Sequence, residues 1–172
     1  MRLAARWFRH LFFTPLRYTP PQKEREAKEQ AIQYTLLVDG RKIQVYTWGS
    51  GVPVLFVHGW AGRGTQFRKF IEPFNAAGLK VVAFDGPAHG QSDGKSTEIV
   101  AFANAIKAVY TKEKAVAIVA HSFGGVASLF AIANGLHNPV QINIASPTIA
   151  DEIIKTFLRA LNGSARVGER FK

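Results

Sequence analysis

Ser122 stands where a hydroxyl could be made a nucleophile. It lies in the run AVAIVAHSFGGVASLFAIANGL, residues 115–136. Ala115 to Ala120 alternate small and β-branched residues and stop at His121-Ser122-Phe123-Gly124-Gly125; a small-residue run, Val126 to Leu136, follows at once. This predicts a buried strand, a sharp turn and a buried helix, with the serine at the apex. Ala120 and Gly124, two before and two after it, let strand and helix approach closely; alanine stands where the pattern G-x-S-x-G has its first glycine. Such a hydroxyl suits acyl transfer when a base lies within hydrogen-bond reach and backbone N–H groups face the developing oxyanion. The N–H of Phe123, at the start of the helix, is one donor of that kind.

Two upstream loops follow apolar strands in the same manner. Val52–Val57 (VPVLFV) runs into His58-Gly59-Trp60-Ala61-Gly62, and Lys80–Phe84 (KVVAF) runs into DGPAHGQS, residues 85–92. With these three motifs in order, residues 30 to 172 closely resemble the α/β-hydrolase superfamily. That family has an H-G turn after its third strand, a D-x-P-G-H-G-x-S-like loop after its fourth, and a nucleophile elbow after its fifth. Ala88 stands where the family usually has glycine. The resemblance implies a serine hydrolase of the esterase or lipase kind, with Ser122 as nucleophile and the N–H groups of Trp60 and Phe123 as oxyanion hole. It implies no cofactor and no metal.

The elements that must position these residues read as an α/β fold. Ile32–Val38 and Lys42–Trp48 alternate and are joined by Asp39-Gly40, a hairpin signal. Val52–Val57, Lys80–Phe84, Ala115–Ala120 and Val140–Ala145 complete six strands, with helical patterns at Gln66–Ala77, Ser96–Lys112 and Phe123–Leu136. This predicts an α/β-hydrolase-like, mostly parallel sheet of about six strands with helices on both faces and an antiparallel N-terminal hairpin. We divide the chain into an N-terminal helical segment (1–30), the core (31–147), and the start of a cap or covering helix (148–172). The family's full sheet has eight strands, and its triad acid and histidine usually follow strands seven and eight, beyond Lys172. The chain therefore reads as the front two-thirds of a hydrolase, weakly active or inactive by itself. The alternative is a non-catalytic binding or scaffold protein of the same fold.

None of the five histidines reads as the base. His10 lies in the N-terminal helix, His58 in the oxyanion turn, His121 directly before the serine, and His137 at the far end of the helix that the serine opens. His89 lies at the carboxyl ends of the strands, but two strands from Ser122, about 10 Å at the spacing of a sheet. Asp151, in Thr148-Ile149-Ala150-Asp151, reads better as a helix N-terminal acid than as a triad acid.

Composition sets outer bounds. There is no cysteine, which excludes disulfides and thiolate metal sites. The net charge of +10 would suit nucleic acid or anionic lipid. Basic residues are scattered rather than clustered with aromatics, so we expect no nucleic-acid partner. Gly62-Arg63-Gly64 and Gly94-Lys95-Ser96 each miss a glycine that a nucleotide loop needs. No secretory signal is evident, and the apolar run 115–136 is split by its turn, so the chain reads as soluble and cytoplasmic. Leu3, Trp7 and Leu11 recur at helical spacing with Arg2, Arg6 and Arg9 elsewhere on the helix, which Pro15 ends. That stripe reads first as packing on the domain, with peripheral membrane contact through residues 1–14 as the alternative. Ile149, Ile153, Phe157 and Leu161 share a helical face that suits either a cap over a hydrophobic acyl substrate or a covering helix. Strand 140–145 would be an apolar edge, open to self-association.

Overall fold

The computed structural model describes residues 7, 10–137 and 140–147. The expected helix over 149–161, Asp151 and the segment 148–172 lie outside the described residues, as do Arg2, Leu3, Arg6, Phe8 and Arg9.

A six-stranded mixed sheet forms the core. Its strands are β1 (Ile32–Val38), β2 (Arg41–Trp48), β3 (Val52–Val57), β4 (Leu79–Phe84), β5 (Ala117–His121) and β6 (Val140–Ile144). Their spatial order is β1-β2-β4-β3-β5-β6. β1 and β2 pair antiparallel through a turn in which Asp39 and Gly40 both have positive φ, 49° and 74°, as a two-residue hairpin requires. β2 joins β4 antiparallel, and β4, β3, β5 and β6 run parallel. The helices that flank these strands are α1 (Gln22–Glu29), α2 (Arg68–Ala76), α3 (Ile99–Glu113) and α4 (Phe123–Ala133), with a 3₁₀ turn at Gly64–Phe67, and residues 10–13 are helical as well.

Alternation along the strands divides the core into two layers. Leu55, Val57, Val82, Phe84, Ile118 and Ala120 face α3 and α4. Val54, Phe56, Val81, Ala83 and Val119 face the other side, where Phe67, Phe70 and Phe74 cover them. Phe56 is fully buried with three phenylalanine rings 5.0–5.4 Å from its own, so its truncation to alanine would cost about 3–5 kcal/mol.

Several boundaries differ from the sequence reading for local reasons. The expected helix from Gln66 opens as a 3₁₀ turn and becomes α-helical at Arg68. Ser96 and Thr97 stay outside α3, because Glu98 is extended at φ −138° and its carbonyl accepts the first helical bond, from Phe102 N–H. α4 ends at Ala133 rather than Leu136, since Gly135 adopts φ +95° just beyond it. His137 is therefore past the helix.

α4 packs unusually close to β3. A methyl group at Gly124 would lie 2.4 Å from the His58 carbonyl oxygen and 2.6 Å from that of Val57. Gly→Ala inside a helix ordinarily gains about 1 kcal/mol. At Gly124 the clash reverses the sign, and we predict that Gly124→Ala destabilises by about 1–3 kcal/mol. The check is a urea midpoint that falls with an unchanged denaturant slope.

Candidate active site

Ser122 occupies the turn between β5 and α4, with φ +51° and ψ −124°, a backbone state that costs a non-glycine residue about 1–3 kcal/mol. Its surroundings fix it there. The Ser122 N–H donates to the Ile144 carbonyl at 3.0 Å, and the Gly125 N–H donates to the Ser122 carbonyl at 2.9 Å. A methyl group at Gly59 would meet Ser122 Cβ at 3.0 Å, so the loop after β3 lies directly against the turn. That loop folds back on itself: the Gly62 N–H donates to the Gly59 carbonyl at 3.0 Å, with Trp60 and Ala61 between them and Ala61 at φ +56°. The Trp60 ring stands edge-on to Phe123, with centroids 5.2 Å apart. The structure thus brings together Ser122, Phe123 and Trp60, the three residues singled out from sequence, beyond the carboxyl ends of the adjacent strands β3 and β5.

Two buried histidines lock this loop to the one after β4. The Gly86 N–H donates to His58 Nε2 at 2.8 Å, and His58 Nδ1 lies 2.7 Å from the Gly59 carbonyl. In the opposite sense, the Ala61 N–H donates to His89 Nε2 at 3.1 Å, and His89 Nδ1 lies 2.9 Å from the Pro87 carbonyl. An acceptor Nε2 assigns the proton to Nδ1 in both rings, so both are neutral and both nitrogens are committed. Burial pushes the His58 imidazole down to about 4. Burial, with His58 beside it, pushes His89 down to about 3. His89 therefore cannot take a proton from Ser122 without surrendering its bond to Ala61. His121 is exposed at the end of β5, and His10 and His137 are exposed as well.

Sequence reasoning missed how the remaining polar residues of these loops are used. Asp85, almost fully buried, accepts from the Gly64 N–H at 2.8 Å, the Gln91 N–H at 2.8 Å and the Tyr46 hydroxyl at 2.8 Å. Burial raises its carboxyl, against the pull of those donors and of Arg63. Ser92 bridges the backbone of Gln44 and Asp85. Arg63 is held by Glu24 at 3.4 Å and by the Tyr18 ring at 3.9 Å. The signal for these side chains was present in the DGPAHGQS spacing, but their partners are distant in sequence and follow no period. A cavity of about 290 Å³ beside them is lined by Leu16, Tyr18, Arg25, Arg63 and Asp85, among others, and not by Ser122. Among the described residues no cluster of side chains could hold a metal ion.

The model of the alpha/beta hydrolase fold matches residues 52–145, which span β3 to the end of β6 and include all three loops. The chain belongs to the α/β-hydrolase fold family. It is 34% identical over 93 residues to the non-heme chloroperoxidase CPO-A1 of Kitasatospora aureofaciens, covering 51% of this chain and 33% of that protein. The chain thus aligns with about a third of this curated relative's length. An esterase from Exiguobacterium antarcticum shares the fold with a TM-score of 0.64 at 21% identity, over 76% of this chain and 56% of the esterase. An epoxide hydrolase from Vigna radiata does so with a TM-score of 0.63 at 22% identity, over 70% of this chain and 42% of the enzyme.

The histidine pair makes stability pH-dependent. In the unfolded chain each imidazole titrates near 6.5, whereas the folded values are about 4 and about 3. Below pH 6.5 the unfolded chain binds protons that the folded one does not, so each histidine's contribution to stability is lost as pH falls towards its folded value. The slope is about 1.4 kcal/mol per pH unit for each histidine within its window. Asp85 works in the opposite direction, because its carboxyl is raised by folding. We predict that His89→Gln, whose amide supplies a donor and an acceptor without titrating, loses less stability than the wild type between about pH 6.5 and pH 4. Denaturant midpoints measured across that range check it.

Proposed function

We propose that this chain carries the nucleophile and oxyanion hole of a serine hydrolase acting on an ester or other acyl substrate, probed most directly at Ser122. The observation that carries the reading is Ser122 at φ +51° with Gly59 packed against its Cβ, which sets the hydroxyl at the apex of the turn beside the Trp60 loop. In this reading the turn is a nucleophile elbow. The Phe123 N–H opens α4 and has no intrahelical acceptor, and it joins the Trp60 N–H in facing the developing oxyanion. The His89 bond to the Ala61 N–H holds the Trp60 peptide in place for that role. Attack by Ser122 Oγ on the acyl carbon would form an acyl–serine bond as a base takes the hydroxyl proton, and the ester C–O bond would then break as that proton passes to the leaving alcohol. A hydrophobic acyl group suits the aromatic setting of Trp60, Phe123 and Phe102, whose rings lie 5.2–5.3 Å apart in sequence of contact.

His58 and His89 are engaged in the loops, so this reading expects the chain as it stands to turn over esters poorly. Loss of a triad base costs orders of magnitude, while the oxyanion hole and binding retain a remnant. We predict slow covalent labelling by a fluorophosphonate, lost in Ser122→Ala and slowed about tenfold or more in Gly59→Ala, where the new methyl displaces the serine. Intact-mass measurement follows the adduct. A folded protein that never labels would favour the alternative, a non-catalytic binding or scaffold protein of this fold.

A further inference from the structure

The N-terminal segment is fastened to the same end of the sheet as Ser122, yet leaves Trp7, Leu11 and Leu16 in solvent. The Thr97 N–H donates to the Phe13 carbonyl at 2.9 Å. The Arg17 guanidinium donates to the carbonyls of Ala88, Ser92 and Gly94 at 3.0, 2.7 and 3.0 Å. All four partners belong to the loop after β4. That loop lies at the carboxyl ends of the parallel strands, the end from which Ser122 and Trp60 also project. Phe12 and Phe13 are half-buried and meet edge to face at 5.1 Å. Trp7 and Leu11 remain 65% and 49% exposed, and Leu16 is 77% exposed.

Charge gives this apolar surface a partner. Residues 1–22 contain four arginines, Arg2, Arg6, Arg9 and Arg17, and no acidic residue. Indole and leucine side chains among arginines match a lipid interface, where the apolar groups enter the acyl boundary and the guanidinium groups meet headgroup phosphates. We propose that Trp7, Leu11 and Leu16, in a segment whose sequence carries four arginines and no acid, seat the carboxyl end of the sheet on an anionic lipid surface. The Arg17 clamp transmits that seating to the loop after β4. The proposal is independent of what Ser122 does.

The test is co-sedimentation of the purified chain with vesicles of phosphatidylglycerol and phosphatidylcholine in equal parts, and with phosphatidylcholine alone. Binding to the anionic vesicles that weakens with added salt, with a blue shift of tryptophan emission that Trp7→Phe removes, is the expected result. Trp7→Ser/Leu11→Ser/Leu16→Ser should lower the partition coefficient about tenfold or more, as should Arg2→Glu/Arg6→Glu/Arg9→Glu. The three apolar positions are exposed, so the first variant should keep the wild-type circular dichroism and thermal midpoint. Absence of binding to anionic vesicles at low salt, or binding that survives both variants, would overturn the proposal. So would a concentration-dependent dimer abolished by the same apolar substitutions without vesicle binding, which would assign the surface to a second copy of the chain.

Discussion

Everything at the candidate site depends on how closely two pieces of backbone approach each other. The first turn of α4 lies on the carbonyls of Val57 and His58, where a Cβ at Gly124 has no room, and the loop after β3 lies on Ser122, whose Cβ a methyl group at Gly59 would crowd at 3.0 Å. The Ser122 backbone is held at a positive φ that it would not choose alone. Such a conformation persists when the surroundings over-determine it, and here they do. β6 accepts the serine N–H through Ile144, α4 returns a hydrogen bond from Gly125, and the two glycines remove the side chains that would push the segments apart. Ala120, by contrast, sits in β5 paired with Val57 and Asn143, fully buried at an ordinary strand position. A methyl group is accommodated there, which is why alanine can replace the first glycine of the pattern while Gly124 cannot be replaced.

The loops after β3 and β4 are stabilised by exchange. His58 belongs to one and accepts from Gly86 of the other, and His89 belongs to the second and accepts from Ala61 of the first. Each bond removes a buried backbone N–H that would otherwise cost about 1–3 kcal/mol unpaired. Phe102 of α3 fills the space beneath, with its ring 5.4 Å from His58, 5.6 Å from His89 and 5.3 Å from Phe123. A methyl group at Gly86 would fall 2.2 Å from that ring, so the glycine after Asp85 is set by the packing of a helix 16 residues further along. Ala88 occupies a left-handed position at φ +65°, where a glycine would sit without strain. Three carbonyls of this loop, Ala88, Ser92 and Gly94, are tied to one guanidinium, Arg17.

What could be read from sequence was whatever repeats or punctuates. Buried strands with apolar runs, the Asp39-Gly40 turn and the small residues around Ser122 each announce themselves within ten residues, and the sheet follows them with shifts of one or two positions. The motif letters marked Asp85, His89 and Ser92 as special without saying that they are braces. Their partners, Gly64, Ala61 and Gln44, lie 21 to 48 residues away, and a hydrogen bond to a backbone N–H leaves no trace in the identity of the residue that donates it. The attachment of Arg17 to a loop more than 70 residues downstream was invisible for the same reason. The N-terminal stripe divided differently from either simple reading. Phe12 and Phe13 are half-buried while Trp7 and Leu11 are exposed, because helical spacing identifies a face but not what lies beneath it.

These braces also separate structural from chemical use of histidine. A general base must exchange its proton on every turnover, so one ring nitrogen has to be free to accept it and the other held by a group that stabilises the cation. His58 and His89 meet the opposite specification. Each presents Nε2 to a backbone N–H, donates Nδ1–H to a carbonyl, and sits where burial disfavours the cation. Protonation of either ring would replace an accepted hydrogen bond by an N–H facing an N–H, and the peptide of Trp60, flanked by both attachments, would lose its support. The neutrality that makes these rings good braces therefore disqualifies them as bases.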